Sequence, residues 1–404
     1  MSELKIGLIR EGKVPPDRRV AFLPHQLKAL LDKYPQLEVK VEHSDIRCVS
    51  DQEYIAEGIH VGRDLSSAQV LFGIKEVPLS QLQEGKTYFF FSHTIKKQAY
   101  NRGLLQEILK KRIRLIDYEC LTDHQGNRLV AFGRFAGIVG AYNALWTWGK
   151  RTGLYDLPRA YTCRNMAQLH EEIKSLPLGS LKFAITGGGR VSNGAIEIME
   201  KAGVQRVSPK ELISGVYSYP VYAQLRSSDY YKPLDAGLDF KAFYKNPQAF
   251  VSNFSDYFTS VDVLIHCAFW DQRADRLFSQ EEMADDDFRI KVIADISCDI
   301  DGSIPSTTQP STIAEPVYDY DPLSREIGEA FSHENHINVM AIDNLPTELP
   351  YDASAEFGEM LSRYVIPALV IGDKEDVLKR ATITLEGELT ERYKYLEDYI
   401  SETA

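Results

Sequence analysis

The chain has 404 residues, a formal net charge of −12, 44% hydrophobic and 26% charged residues, so it is long enough to need two hydrophobic cores and apolar enough to fill them. The acidic balance and the lack of a Lys/Arg-rich stripe exclude a nucleic-acid footprint, and five scattered cysteines with no CxxC pair exclude a disulfide framework and suit a reducing cytoplasm. No apolar run has the length of a membrane span and the opening MSELKIGLIREGK is too short for a signal h-region, so a cytoplasmic protein with small-molecule ligands is expected.

In chain order, Lys5 to Ile9 reads as a strand, and Leu27, Leu30 and Leu31 recur at helical spacing within Leu23 to Tyr34. Strand-like runs follow at Val39–Val41, Val70–Ile74, Tyr88–Phe91 and Arg114–Tyr118, each separated by room for a helix. This is the rhythm of a doubly wound parallel sheet, and the fold class expected is α/β. Residues 137–149, GIVGAYNALWTWG, predict a buried helix that packs closely through its small residues. KFAITGGGRVSNGAIEIMEKAG, from Lys182, predicts strand, glycine-rich turn and amphipathic helix, the opening of a second sheet. Val207 ends the expected next strand, with others at Val261–Ile265, Val292–Ile296 and Val339–Ile342. The Tyr-rich stretch 214–260 lacks periodicity and is expected to be an insertion of helices and loops. After Asn344 the pattern predicts a helix from about Asp352 that returns to the first domain.

Three polar groups stand where apolar runs end: Lys75 in GIKEVP, His93 in FFFSHT and Glu119 in LIDYEC. In a parallel α/β sheet, ligands gather outside the carboxyl ends of the strands, so three such termini can converge on one site. The glycine turn Gly187-Gly188-Gly189-Arg190 precedes a helix start. Glycines let backbone approach a pyrophosphate, and the helix offers it unpaired N–H groups, which points to a dinucleotide. An NAD-preferring fold carries an acid after its second strand. Arg206-Val207-Ser208-Pro209-Lys210 has none there, and Ser208 with Lys210 suits the 2′-phosphate of NADP(H); the alternative is that an insertion hides the true ribose contact. Arg19 and Arg128 suit bidentate carboxylate capture, whereas Arg18 is assigned to solvent. No zinc, Walker or nucleophile-elbow motif is present, and no metal site is expected.

REGKVPPDRRVAFLP, GIKEVP, FFFSHTIKKQ, LIDYECLTDHQGNRLVAFGRFAG, TGGGRVSNGA, DISCDIDGSI and AIDNLPTELPYDAS together resemble the alanine dehydrogenase, transhydrogenase and saccharopine dehydrogenase superfamily, most closely its lysine-ketoglutarate reductase and lysine-forming saccharopine dehydrogenase members. The resemblance implies two Rossmann-like domains with a cleft between them: residues 1–136 with 346–404 for substrate and catalysis, and 137–345 for the dinucleotide. It implies an oxidoreductase using NADP or NAD that interconverts lysine plus 2-oxoglutarate and saccharopine. By the same resemblance Lys75 is a general base and His93 a proton donor, with Glu76 and Glu119 as carboxylates that tune them. Arg19, Gln98, Arg128 and Phe132 hold substrate, and Asp343 pairs with Arg19. Gly187, Gly189, Arg190, Ser208, Phe269, Ile296 and the turn Ile342-Asp343-Asn344-Leu345 contact the dinucleotide, and Ser297, Cys298 and Asp299 border cofactor and substrate.

Two departures qualify the likeness. Fungal members carry an acid after the second Rossmann strand, and a cysteine where this chain has Val191, so Cys267 is expected to be a free thiol. The chain also lacks the glutamate-forming half of animal and plant enzymes, which implies work alone or with a separate enzyme. Two other readings remain: alanine dehydrogenase or another opine or amino-acid dehydrogenase, and a non-catalytic dinucleotide-binding sensor. The expected partners are an amino acid and a 2-oxo acid, with no nucleic acid and no membrane. Homo-oligomerisation is left open.

Overall fold

The computed structural model describes residues 3–401. The chain opens with β1 (Leu4–Leu8), α1 (Pro24–Lys33), β2 (Leu37–Glu42), β3 (His60–Gly62), β4 (Val70–Phe72), β5 (Thr87–Phe90) and β6 (Arg114–Asp117). It continues with α2 (Gly133–Thr152), β7 (Lys182–Thr186), α3 (Arg190–Lys201), β8 (Gln205–Arg206), α4 (Pro209–Ser214), β9 (Val221–Leu225), β10 (Tyr231–Pro233), β11 (Phe250–Ser252), β12 (Val263–His266), β13 (Val292–Asp295), β14 (Tyr318–Tyr320), β15 (Ile327–Gly328) and β16 (Ile337–Met340). Helix α5 (Pro350–Met360) and strands β17 (Thr382–Leu385) and β18 (Glu388–Leu389) close it. Two units result: Met1–Phe132 with Pro350–Ala404, and Gly133–Leu349. Both are α/β.

The first unit is built on a sheet of order β18-β17-β6-β5-β4-β1-β2-β3. Strands β1 to β6 run parallel, and β17 and β18 add an antiparallel edge. The apolar run Tyr88-Phe89-Phe90 is buried, as a central parallel strand covered on both faces must be. Phe72 stacks on Phe89 with centroids 4.5 Å apart, and Tyr118 meets Phe357 of α5 edge-on at 5.0 Å, so the returning helix completes this core.

The second unit has the order β15-β14-β16-β13-β12-β7-β9-β8, with only β14 running against the others. Helices α2 and α3 cross at glycines. A Cβ on Gly137 would lie 1.8 Å from the Val191 carbonyl oxygen, and one on Gly194 2.0 Å from that of Arg134. The small residues of the GIVGAYNALW stretch therefore permit direct backbone contact between the two helices.

The stretch 214–260 differs from expectation. It contains β9, which lies directly beside β7, while the strand expected to end at Val207 is the two-residue edge strand β8. Val221, Tyr222, Ala223 and Leu225 are fully buried. A five-residue strand set among Tyr, Ser and Pro is too short to show periodicity against such flanks. Among the described residues no helix is long and apolar enough to cross a membrane.

Candidate functional site

In the first unit, β1, β4, β5 and β6 are neighbours and parallel, so their carboxyl ends share one edge. Glu11 follows β1, Lys75 and Glu76 follow β4, His93 follows β5 and Glu119 follows β6. The Glu11 carboxylate accepts the backbone N–H groups of Ile74 at 2.7 Å and Lys75 at 2.9 Å, which ties the end of β1 to the turn carrying Lys75. Burial, and then the charge of Asp17, push the Glu11 carboxyl up to about 8 despite those two donors.

His93 adopts a left-handed backbone conformation, φ +54°, which turns the chain sharply out of the sheet. Its Nδ1 lies 2.6 Å from Glu76 Oε1, and Lys13 Nζ holds Glu76 Oε2 at 2.7 Å. Burial resists the charge on Glu76, but these donors prevail and its carboxyl is pulled down to about 2. An ionised Glu76 only accepts, so His93 Nδ1 carries the proton and Nε2 is the nitrogen at which a second proton is gained or lost. Glu119 places Oε1 3.7 Å from Arg128 Nη1 and 3.8 Å from Lys96 Nζ, and its Oε2 is buried without a hydrogen-bond partner.

Arg19 is buried and forked onto Asp17, with Nε–Oδ1 3.0 Å and Nη2–Oδ2 2.6 Å. Its guanidinium lies 4.2 Å over the Phe132 ring, which stacks on Phe357 at 4.3 Å. Gln98 and Arg128 are exposed, and Arg18 likewise faces solvent. Lys13, Glu11 and Asp17 join this site without being marked by the apolar pattern of the sequence. Glu11 was accessible to the same strand-end rule that singled out Lys75, His93 and Glu119.

In the second unit the parallel strands also end at one edge, and the remaining candidates follow them. Gly187 to Gly189 follow β7, Phe269 follows β12, Ile296 to Asp299 follow β13, and Ile342 to Leu345 follow β16. Gly187 has φ +94°, and a Cβ there would press to 3.2 Å on the Cys267 carbonyl oxygen. Gly189 has open space on the side where a Cβ would project and caps α3 with no side chain, while a Cβ on Gly188 would touch only the Arg226 side chain, at 4.0 Å. The α3 N–H groups are thus left for an anion, and the cradle fits the pyrophosphate of a dinucleotide. Phe269 is 90% exposed. Ile296 is anchored by its N–H to the His266 carbonyl at 3.0 Å, and Ile342 and Leu345 are buried.

Ser297 is turned inward, its Oγ donating to Asp295 at 2.7 Å. The Cys298 thiol points at the Ala341 carbonyl at 2.9 Å, and burial with nearby carboxylates pushes it up to about 12. Asp299 and Asp343 are exposed and Asn344 is half-buried. Ser208 lies apart from the glycine turn. It follows edge strand β8, one strand removed from β7, and its Oγ caps α4 by accepting from Glu211 N–H at 3.2 Å. All five cysteines are free thiols, Cys267 among them.

A family model described as "Alanine dehydrogenase/PNT, N-terminal domain" matches residues 7–139. The chain is 32% identical over 441 residues to the alpha-aminoadipic semialdehyde synthase of Rattus norvegicus, covering 97% of this chain and 47% of that protein, so it spans about half the length of that relative. It is 26% identical over 399 residues to a lysine-forming, NAD(+) saccharopine dehydrogenase of Emericella nidulans, covering 93% and 94%. Among solved structures it resembles an L-alanine dehydrogenase with a TM-score of 0.67 at 16% identity, covering 98% of this chain and all of that one.

Proposed function

We propose that the chain, on its likeness to alpha-aminoadipic semialdehyde synthase, to lysine-forming saccharopine dehydrogenase and to the alanine dehydrogenase/PNT N-terminal domain, belongs to the saccharopine dehydrogenase branch of that superfamily and is an NAD(P)-dependent oxidoreductase interconverting lysine plus 2-oxoglutarate and saccharopine. The observation that carries the reading is the ionised Glu76 gripped by His93 and Lys13 beside Lys75, at the ends of adjacent strands.

Joining an amine to a keto acid requires a neutral amine, then proton delivery as the carbinolamine loses water to an imine. Lys75 takes the proton from the incoming amine, and His93 Nε2 delivers one to the departing hydroxyl. Glu76 fixes the imidazole through Nδ1 and offsets the positive charge His93 gains while it holds two protons. Arg128 takes a substrate carboxylate, since a guanidinium fork matches two oxygens, while Arg19, its Nε and Nη2 already on Asp17 and its plane over Phe132, holds positive charge beside the substrate. The bound dinucleotide supplies the hydride, and Gly187 to Arg190 would hold its pyrophosphate.

The test is absorbance at 340 nm with purified chain, NADPH or NADH, 2-oxoglutarate and a panel of amino acids. Oxidation that depends on lysine is the expected outcome. Oxidation with pyruvate and ammonia would make the chain an alanine dehydrogenase instead, and tight cofactor binding without turnover would make it a sensor.

A further inference from the structure

In a dinucleotide fold, the residue that meets the adenosine ribose follows the strand lying beside the glycine-turn strand. A carboxylate there takes the ribose hydroxyls, and an arginine takes a 2′-phosphate. The strand in that place is β9. Thr186 is in register with Leu225, and the Gly187 N–H donates to the Leu225 carbonyl at 2.8 Å. The next residue is Arg226. Its Cγ and Nε come within 4.0 Å of where a Cβ on Gly188 would lie, so the side chain runs along the glycine turn. The acid nearest in sequence, Asp229, is committed to the backbone, its Oδ2 accepting the Arg226 N–H at 2.7 Å.

The Tyr-rich stretch and the turn after β12 then enclose a cavity of about 390 Å³ over the glycine turn, lined by Gly187 to Gly189, by Tyr231, Phe243 and Tyr244 of the former and by Trp270 of the latter. Its wall is held by ring contacts, with Tyr231 and Phe243 centroids 4.8 Å apart and Phe243 and Tyr244 at 5.4 Å. The Tyr231 hydroxyl and the Trp270 indole N–H both donate to the Asp275 carbonyl, at 2.6 and 3.1 Å. Aromatic walls fixed in advance suit a flat heterocycle, which stacks on them at little ordering cost.

We infer that the segment from Arg226 to Tyr244 is the adenosine-recognition element of this chain, with the adenine in the aromatic cavity and the Arg226 guanidinium on a ribose 2′-phosphate, so that NADP(H) is selected over NAD(H). This rests on the dinucleotide part of the function proposed above and not on the identity of the amino-acid substrate. The 2′-phosphate assignment moves from Ser208 and Lys210 to Arg226 because a guanidinium beside the turn is in the ribose position, whereas Ser208 lies a strand further out.

Calorimetric titration of the full chain with 2′,5′-ADP and with 5′-AMP tests it, since the two differ by the phosphate alone. The wild-type chain should bind 2′,5′-ADP at least about tenfold more tightly, as a charge-assisted bidentate contact allows. Arg226→Ala should bring the two to within about twofold by weakening 2′,5′-ADP alone, and Tyr244→Ala should weaken both about threefold or more while keeping their ratio. A wild-type chain indifferent to the phosphate, or an Arg226→Ala chain with its preference intact, would overturn the inference while leaving the dinucleotide reading in place. Failure to bind either fragment, NADPH or NADH would overturn both.

Discussion

His93 Nδ1 lies 2.6 Å from Glu76 Oε1, and Lys13 Nζ holds the other oxygen of that carboxylate at 2.7 Å. Burial works against the charge, yet these donors draw the Glu76 carboxyl from 4.5 to about 2. Its folded value lies below the ordinary one, so its stabilisation is complete above the ordinary value and is lost as pH falls toward 2. Glu76→Gln should cost on the order of 2 kcal/mol near neutrality and flatten the acid limb of the stability curve. It should also move the pH profile of kcat/KM, because His93 loses the anion that fixes its proton on Nδ1. Acid titration followed by circular dichroism reads the first effect and steady-state kinetics the second; an unaltered acid limb would detach Glu76 from the stability of the folded chain.

Lys75→Met should lower turnover by about a hundredfold to ten-thousandfold, the usual worth of a general base, and leave dinucleotide affinity unchanged. Lys75 stands on the first unit and the glycine turn on the second, so nucleotide titration and single-turnover kinetics separate the two effects. Turnover equal to wild type would remove Lys75 from the mechanism.

Two glycines of the same motif should respond oppositely to alanine. A Cβ on Gly194 would sit 2.0 Å from the Arg134 carbonyl oxygen, so Gly194→Ala must push α2 from α3 and should cost about 3 kcal/mol or prevent folding. A Cβ on Gly189 meets nothing within 4 Å, so Gly189→Ala should leave Tm within about 1 °C and weaken dinucleotide binding by crowding the pyrophosphate. Thermal melts alongside NADPH titration distinguish the pair.

The native chain should resist thiol reagents. Burial raises every cysteine, Cys48 to about 11, Cys120 and Cys298 to about 12, and Cys163 and Cys267 in the same direction. The thiolate is the reactive species, so modification by an aromatic disulfide reagent at pH 8 should run roughly tenfold or more slower than in urea. A fast phase of one thiol per chain in the native state that disappears in Cys298→Ser would show that Cys298 is reachable and activated.

What the sequence disclosed follows from where its signals are local. Long apolar runs ending in one polar residue marked β4, β5 and β6 and hence Lys75, His93 and Glu119, because a buried parallel strand and its carboxyl end are written in consecutive residues. Glu11 ends β1 in the same way and was passed over, since REGK reads as an ordinary charged turn until β1 is seen beside β4. The exchange of β8 for β9 beside β7 was not legible, because strand order is a property of pairing across the sheet and Val221–Leu225 carries no mark of its neighbour. The fork between Arg19 and Asp17 escaped for a related reason: two charges two residues apart reveal a buried pair only once the elements that exclude water are in place.

The pairing of β17 with β6 sets the order in which the first unit can be completed. The Leu115 N–H waits for the Thr384 hydroxyl, 269 residues further along, so while the polypeptide is being synthesised β6 presents an open edge until residue 384 has emerged. The intervening unit, Gly133–Leu349, has all its strands synthesised before β17 and can condense first. A ribosome stalled before residue 382 would therefore hold a nascent chain with a sticky margin, a natural target for a chaperone.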